Sequence, residues 1–354
     1  MAIIKIQRKI GIRYMVRVKD KYGKPYPAKT FDRKVDAIRY ETTLKTKRDQ
    51  GKLAHSQEII RFTFAEYWVK WAESMRGHVS DGWKISQDQM ARDHILPWLG
   101  HMRLLNIRPV EIQEVINQVR AKGLSEQTQL HVYNLMHKCF EDAVHILELL
   151  EKNPVLRKVK PKPRLKTRRH LVPKDLLLLL NRSRDHYLGP AIWLASLAGL
   201  RTEAIQALTW SSVDFDRELI HIRQAYKAKV RRIEPYPKGR DQTTVPLPRL
   251  LAEYLKEKRV KSRSSFVAPN SEGRILDHDN TRKVLKKYCV EVGVTPITLH
   301  ELRHSCTELW VANGATVEDI RRLLNHKSSA TTARYIHRTD DRLRAIAEGI
   351  DFGM

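Results

Sequence analysis

His300-Glu301-Leu302-Arg303, followed by Leu324-Asn325-His326-Lys327 and then by Ala333-Arg334-Tyr335-Ile336-His337, is the stretch on which the reading of this chain turns. Two histidines, an arginine and a tyrosine at these intervals suit phosphoryl transfer to a tyrosine hydroxyl. A pentacoordinate phosphorus gathers negative charge on its nonbridging oxygens, and planar guanidinium groups clamp such oxygens through paired hydrogen bonds. Tyrosine is a weak nucleophile at its reference pKa of about 10, so it needs a cationic pocket and a neighbouring base. Upstream, Gly199-Leu200-Arg201 supplies a second guanidinium and Pro237-Lys238-Gly239-Arg240 an ammonium on a turn. Each element alone is ordinarily structural; their joint order and spacing carry the reading.

Around these residues the pattern is mainly helical. A helix is expected to contain His300 to Ala312 and to end at Gly314, with Thr316 capping the next, Glu318 and Asp319 in its first turn, and Ile320, Leu323 and Leu324 facing inward. Tyr335 follows on or near a last helix. Leu176 to Leu180 and Ile192 to Leu200 read as buried helices, the leucine run being core. Leu219 to Arg223, Val230 to Glu234 and Thr243 to Leu247 read as short strands, which places Lys238 on a hairpin turn.

Toward the N-terminus, Arg157, Lys158, Lys160, Lys162, Arg164, Lys166, Arg168 and Arg169 form a run with Pro161 and Pro163 and no acid between Arg157 and His170. Such a run does not fold on itself and serves as a solvated strap that can also track a phosphate backbone. Before it lies a helical segment. Thr63 and Glu66 form a capping box ahead of Tyr67, Trp68 and Trp71; Pro109 opens a helix through Val110, Ile112, Val115, Ile116 and Val119; Ser125 caps one through Leu135, Met136 and Phe140, which Asn153-Pro154 stops. From Ile4 to Val18 the period is two: Ile4, Ile6, Ile10, Ile12, Tyr14, Val16 and Val18 alternate with Lys5, Lys9, Arg13, Arg17 and Lys19 on the other face. Tyr22-Gly23-Lys24-Pro25 is a turn, Ala28 to Phe31 another strand, and Asp32 caps a helix through Val35, Ile38 and Thr42 towards Gly51. The basic face is either a solvated surface or a β-ribbon for a DNA groove.

The chain's 354 residues allow two or three domains with their own cores. With 66 Lys and Arg against 40 Asp and Glu, the formal net charge is +26. That charge points to a polyanionic partner, because each phosphate neutralised releases condensed counterions. Nucleic acid leads and an anionic membrane surface is the rival. The longest charge-free apolar stretch, residues 188–200, falls short of the roughly 20 residues of a membrane span. Met1-Ala2-Ile3-Ile4-Lys5 lacks an apolar signal core, and Cys139, Cys289 and Cys306 form no disulfide framework, so a reducing, cytoplasmic compartment is expected.

The set Arg201, Lys238, His300, Arg303, His326 and Tyr335 resembles the tyrosine recombinases, the phage-integrase family of enzymes that cut and rejoin DNA. Carried over residue by residue, the resemblance implies Tyr335 as nucleophile, His300 as the base that takes its proton, Arg201 and Arg303 as the phosphate clamp, and His326 as a partner of a nonbridging oxygen. Lys238 would protonate the departing 5′-hydroxyl, with Lys227 and Lys229 as rivals for that role. The implied fold class is α+β multidomain: residues 1–55 a small three-stranded N-terminal β-sheet plus helix resembling an arm-site-binding domain, 60–155 an all-helical core-binding domain, 156–169 the basic linker, and 170–354 a mainly helical catalytic domain with a small antiparallel sheet and a C-terminal tail. No metal and no cofactor is implied, and no ATP. The implied partners are double-stranded DNA at core sites, arm sites through the N-terminal domain, and a homotetramer of the chain on DNA. A DNA-bending protein and a directionality factor are candidate accessories, and the implied location is cytoplasmic, at the nucleoid of a prokaryotic host. Leu343, Ile346 and Ile350 form a stripe that docks either on a neighbouring protomer or on its own domain. Two positions depart from the family pattern: Ala204 stands where an acid usually follows the first arginine, with Glu203 one place early, and Asn325 replaces the glycine before the second histidine.

Phage integration or excision is the expected task, with DNA inversion or dimer resolution by the same chemistry as the alternative. Rivals of other classes share the residues. His300-Glu301-Leu302-Arg303-His304 spells H-E-x-x-H, the zinc metalloprotease signature, but Thr307 and Trp310 occupy the places of the glycine and third histidine of its extended form. A catalytically idle DNA-binding protein would explain the charge but not the tyrosine set. Asp277-His278-Asp279 suggests a two-metal nuclease only if a further carboxylate joins it.

Overall fold

The computed structural model describes residues 3–8, 11–19, 28–49, 62–74, 76–77, 79–164, 169–236 and 242–324. The chain divides into two compact units, residues 1–165 and 166–354.

At the start of the first unit, β1 (Ile3–Arg8), β2 (Gly11–Val16) and β3 (Lys29–Phe31) form an antiparallel sheet in that order, followed by α1 (Lys34–Asp49). The period-two run from Ile4 to Val18 supplies two of the sheet's three strands. The chain reverses between Arg8 and Gly11, so that Ile3 pairs with Val16, Lys5 with Tyr14 and Ile6 with Arg13. Paired residues share a face, and the reversal joins odd positions of β1 to even positions of β2. The basic residues therefore do not form one face: Lys5 stands on the side of Tyr14 and Val16, whereas Arg13 stands on the opposite side with Ile4, Ile6 and Met15. Val16, Val18, Ala37 and Leu44 are the buried cluster, with Ile3, Tyr14, Phe31 and Tyr40 against it. The packed stripe of α1 is thus Ala37, Tyr40 and Leu44, while Val35 and Ile38 face solvent. Asp32 bonds to Arg13, its Oδ1 2.7 Å from Nε. Lys9 and the Tyr22–Pro25 turn lie outside the described residues.

The helical part of the first unit follows its caps. The carboxylate of Glu66 accepts from the Thr63 amide at 2.7 Å and starts α2 (Phe64–Ser74). Next come α3 (Asp81–Met90), a π-helical segment (Ala91–Ile95) and α4 (Leu96–Leu99). Pro109 takes the first turn of α5 (Pro109–Ala121), and the Ser125 hydroxyl caps α6 (Glu126–His145). Tyr67, Trp71, Ile112, Ile116, Met136 and Phe140 fill the core. One carboxylate is buried there: Asp142 accepts from Trp71 Nε1 at 2.9 Å and from Lys138 Nζ at 2.6 Å. Helix α6 stops at His145, well before Asn153-Pro154, because the chain folds back and Leu149 donates to the Ala143 carbonyl at 2.7 Å. Asn153 is a lateral brace, donating to the His137 carbonyl at 3.2 Å and to Glu141 at 2.7 Å.

The basic strap differs from the expectation over its first half. Val155 is buried and Val159 packs against the helical core, Arg157–Val159 make a 3-10 turn, and the Arg164 amide donates to Glu126 at 2.9 Å. Two apolar anchors thus hold residues 155–164 on the helical bundle while Arg157, Lys158, Lys160, Lys162 and Arg164 stay exposed. Lys166 and Arg168 lie outside the described residues; Arg169 is exposed.

The second unit is built on α7 (Pro173–Ser183), α8 (Gly189–Leu197), α9 (Thr202–Ala207), α10 (Arg249–Lys261), α11 (His278–Glu291), α12 (Leu299–Ala312) and α13 (Val317–Leu323). Nearly every side chain of α8 is buried, as an apolar helix with no polar face must be, and α12 packs on it. Leucines 176, 179 and 180 are core, but Leu177 and Leu178 point to solvent, since a five-residue run spans more than one helical face. Two sheets lie beside the helices: β4 (Val213–Asp214), β5 (Leu219–Ile222) and β8 (Thr243–Pro246) in the order β4-β5-β8, and a pair of β6 (Gln224–Lys227) with β7 (Arg232–Pro235). Strands β7 and β8 belong to different sheets, and β6 and β7 are joined through residues 228–231, where Arg231 has φ 51; residues 237–241 lie outside the described residues. Asp277 caps α11 through the Asn280 amide at 2.8 Å, which gives the Asp277-His278-Asp279 triplet a helix-starting role.

Candidate active site

Arg201 is the residue immediately before α9, with extended backbone, and its side chain is exposed. Gly199 precedes it with φ +60, and a Cβ there would meet Trp310 Cη2 at 3.0 Å and Leu324 Cδ2 at 3.3 Å. Only glycine gives both the left-handed turn and the clearance that let the chain leave α8 and present Arg201.

Helix α12 starts at a capping box. The Thr298 amide donates to Glu301 Oε2 at 2.9 Å and the Glu301 amide to Thr298 Oγ1 at 3.2 Å. His300 is exposed in the first turn, and Arg303, one turn on, is 4% exposed. Arg303 Nη1 donates to the Gly199 carbonyl at 2.6 Å and Nη2 to the Leu324 carbonyl at 2.8 Å. One guanidinium thus ties the residue two before Arg201 to the residue two before His326. Cys306 lies fully buried below it, and that burial pushes its thiol far up, against the lowering effect of Arg303.

Arg201 and Arg303 line one concavity together with Ala204, Tyr236, Thr243 and Leu324. His300 lines an adjoining cleft of about 170 Å³ with Thr202, Gln206, His278, Thr281 and Arg282. The N-terminus of α9 separates the two, so Arg201, Arg303 and His300 gather around one short turn of chain. Lys238, His326 and Tyr335 lie outside the described residues, as do Leu343, Ile346 and Ile350.

The metalloprotease alternative is answered by Glu301, the base that H-E-x-x-H chemistry would need, because its carboxylate is held at the N-cap of α12. His304 is 5% exposed and packs edge-on against His300, ring centroids 4.8 Å apart.

Two features escaped the sequence reading. Tyr236 lines the arginine pocket, and the signal for it was its place two residues before Lys238. Lys227, a rival for the acid role, has its Nζ 2.8 Å from Glu203 Oε2. Burial acts to lower the affinity of this amine for its proton, but the Glu203 carboxylate outweighs burial and the net shift is upward. An amine so held is a poor proton donor.

Residues 173–342 match the model of the phage integrase family, and residues 63–119 match that of the phage integrase N-terminal SAM-like domain. The chain contains a catalytic domain and a SAM-like domain that match the phage integrase family. All six motif residues fall inside the first match. Among related proteins, a "Tyrosine recombinase XerC-like" protein of Caldanaerobacter subterraneus subsp. tengcongensis is 24% identical over 269 residues, which are 67% of this chain and 68% of the relative. Tyrosine recombinase XerA of Thermococcus onnurineus is 32% identical over 161 residues, 43% of this chain and 51% of the relative. The fold is similar to that of the Tn1549 transposon integrase in complex with a circular intermediate DNA (TM-score 0.72, 17% identity, 82% of this chain and 100% of that one). It is also similar to lambda integrase in a dimer bound to a COC' core site (TM-score 0.65, 16% identity, 99% and 96%). The chain is a tyrosine-type, site-specific DNA recombinase.

Proposed function

We propose that this recombinase cleaves one DNA strand by attack of Tyr335 on the scissile phosphorus, forming a 3′-phosphotyrosine bond and releasing a 5′-hydroxyl. A second 5′-hydroxyl then attacks that bond, so the phosphodiester energy is kept. Arg201 and Arg303 stabilise the charge on the nonbridging oxygens with His326, His300 takes the tyrosine proton, and Lys238 protonates the leaving oxygen. The observation that carries this reading is the convergence of Arg201 and Arg303 on one concavity with His300 beside it.

The task proposed is integration or excision of a mobile element, supported by an N-terminal sheet ahead of the helical segment. The domains assigned are 1–55 for arm-type sites, 60–155 for the core site, and 170–354 for the chemistry, joined by the strap 156–169. Cations Lys5, Arg13, Arg17, Lys19, Arg157, Lys158, Lys160, Lys162, Arg164 and Arg169 are assigned to phosphate contacts, supported by their exposure and by the net charge of +26. A homotetramer on DNA is proposed because strand exchange needs four such sites, and the similarly folded lambda integrase is a tetramer on a Holliday junction. No helix among the described residues is long and apolar enough to cross a membrane; a nucleoid location follows from the DNA-binding role.

The test is recovery of protein-bound DNA from cells under denaturing conditions, comparing wild type with Tyr335→Phe and sequencing the attached 3′ ends. Discrete adducts that vanish in the variant establish the nucleophile and reveal the core site. Adducts that persist in the variant refute Tyr335.

A further inference from the structure

The β6–β7 pair is tied to α9 at two points. Gln224 Nε2 donates to the Ala207 carbonyl at 2.8 Å, at the end of the helix. Lys227 Nζ donates to Glu203 Oε2 at 2.8 Å, at its start. Helix α9 follows Arg201 directly, so Glu203 stands two residues from the phosphate clamp. On its other side Lys227 reaches Tyr236, with Nζ 5.8 Å from the ring centroid. Tyr236 lines the arginine pocket, and its amide donates to the Arg223 carbonyl at 2.8 Å, which closes the far end of the ladder. Lys227 thus sits between the turn that presents Arg201 and the residue from which the chain departs towards Pro237-Lys238.

Stability does not account for this pair. The side chains are 36% and 53% exposed for Lys227 and Glu203, a degree of exposure at which an ion pair adds little to folding. Glu203 also lies one place before the position of the family's usual acid, where Ala204 is buried. An acid at 203 points to the hairpin rather than into the core, and a basic residue is there to meet it.

We propose that the Glu203–Lys227 ion pair is a positioning device for proton delivery: it fixes the β6–β7 ladder on α9 and thereby sets where the chain carrying the general acid leaves Tyr236. The inference rests on the recombinase reading above and adds to it two residues that do not themselves touch the phosphate. In the cleavage step the Tyr335 oxygen forms a bond to phosphorus, the bond from phosphorus to the bridging 5′-oxygen breaks, and that oxygen gains a proton from the acid. When the bridging atom is sulfur it departs as a thiolate and needs no proton. A defect confined to proton delivery therefore disappears with the sulfur substrate, and a defect in phosphate clamping or folding does not.

The experiment uses full-length protein and duplexes carrying the core sequence recovered from the covalent adducts, with oxygen or sulfur at the bridging position, and follows single-turnover adduct formation. Glu203→Gln and Lys227→Met are each expected to slow the oxygen substrate about 10- to 100-fold and the sulfur substrate by less than about 3-fold. The charge-exchanged double variant, Glu203→Lys with Lys227→Glu, is expected to recover most of the oxygen rate. Equal losses on both substrates overturn the proposal and assign the pair to folding or to phosphate contact; unchanged rates on both overturn it as well. A wild-type protein that forms no adduct with either substrate overturns the recombinase reading itself.

Discussion

Substituting Arg303 should damage the fold as well as the chemistry. Its guanidinium donates to two carbonyls in a site that is 4% exposed, Gly199 at 2.6 Å and Leu324 at 2.8 Å. A hydrogen bond from a charged donor contributes about 1.5–3 kcal/mol, so removing two costs roughly 3–6 kcal/mol. Removing a buried charge returns part of that, which leaves a net loss of about 2–4 kcal/mol for Arg303→Met. Arg303→Lys retains the charge but, lacking the fork, reaches one carbonyl, and should lose about half as much. Because the chain has two units, bulk denaturation mixes their transitions, and hydrogen exchange read peptide by peptide is the suitable assay. Protection of α8 and α12 should fall by about 30- to 1000-fold in Arg303→Met, at a factor of ten per 1.4 kcal/mol, while α2 to α6 stay unchanged. Full protection of α8 and α12 in that variant would refute the structural half of the argument and leave Arg303 as a phosphate ligand alone.

Gly199→Ala should cost about 1–3 kcal/mol, through the left-handed backbone and the 3.0 Å approach to Trp310, and show as the same local loss of protection; an unchanged pattern would mean that the turn relaxes freely. Cys139, Cys289 and Cys306 are all buried, and burial raises each thiol, so a thiol reagent should label none in the folded protein and all three in denaturant. Hydrogen bonds from Arg321 and then Arg322 push Glu318 down to about 2 from the usual 4.5. Its folded value lies below its unfolded one, so its contribution is complete above about pH 4.5 and is lost as pH falls towards about 2. An NMR titration of its carboxyl should show that low midpoint, and one near 4.5 would mean that the arginines do not hold it in solution.

The elements legible from sequence were those whose cause is local. Thr63 with Glu66, Ser125 and Thr316 each start a helix where expected, because a cap is a contact between residues three apart, and Pro109 does so because its ring presets a first-turn φ. Arg201 and Arg303, singled out by their motifs, line one concavity, and His300 lines the cleft beside it. What escaped depends on partners distant in sequence. Alternation from Ile4 to Val18 does not say which residues of β1 and β2 share a face, because that depends on where the chain turns back. The end of α6 is set by Leu149 reaching back to Ala143, which outweighs the nominal stop at Asn153-Pro154. Strand β6 shows no alternation of its own, since Gln224 and Lys227 are held by α9.

The reversal between Arg8 and Gly11 bears on how this lineage can vary. A codon substitution in β1 replaces one side chain and leaves the pairing intact. A single-codon insertion or deletion within β2 ahead of Tyr14, with β1 and Gly11 held in place, turns the rest of β2 over: Tyr14 and Val16 leave α1, and Arg13 and Met15 or their neighbours take their places against it. Descendants should therefore drift by substitution along both strands and keep the strands themselves free of gaps, so that the length of β2 is inherited more faithfully than the residues that fill it.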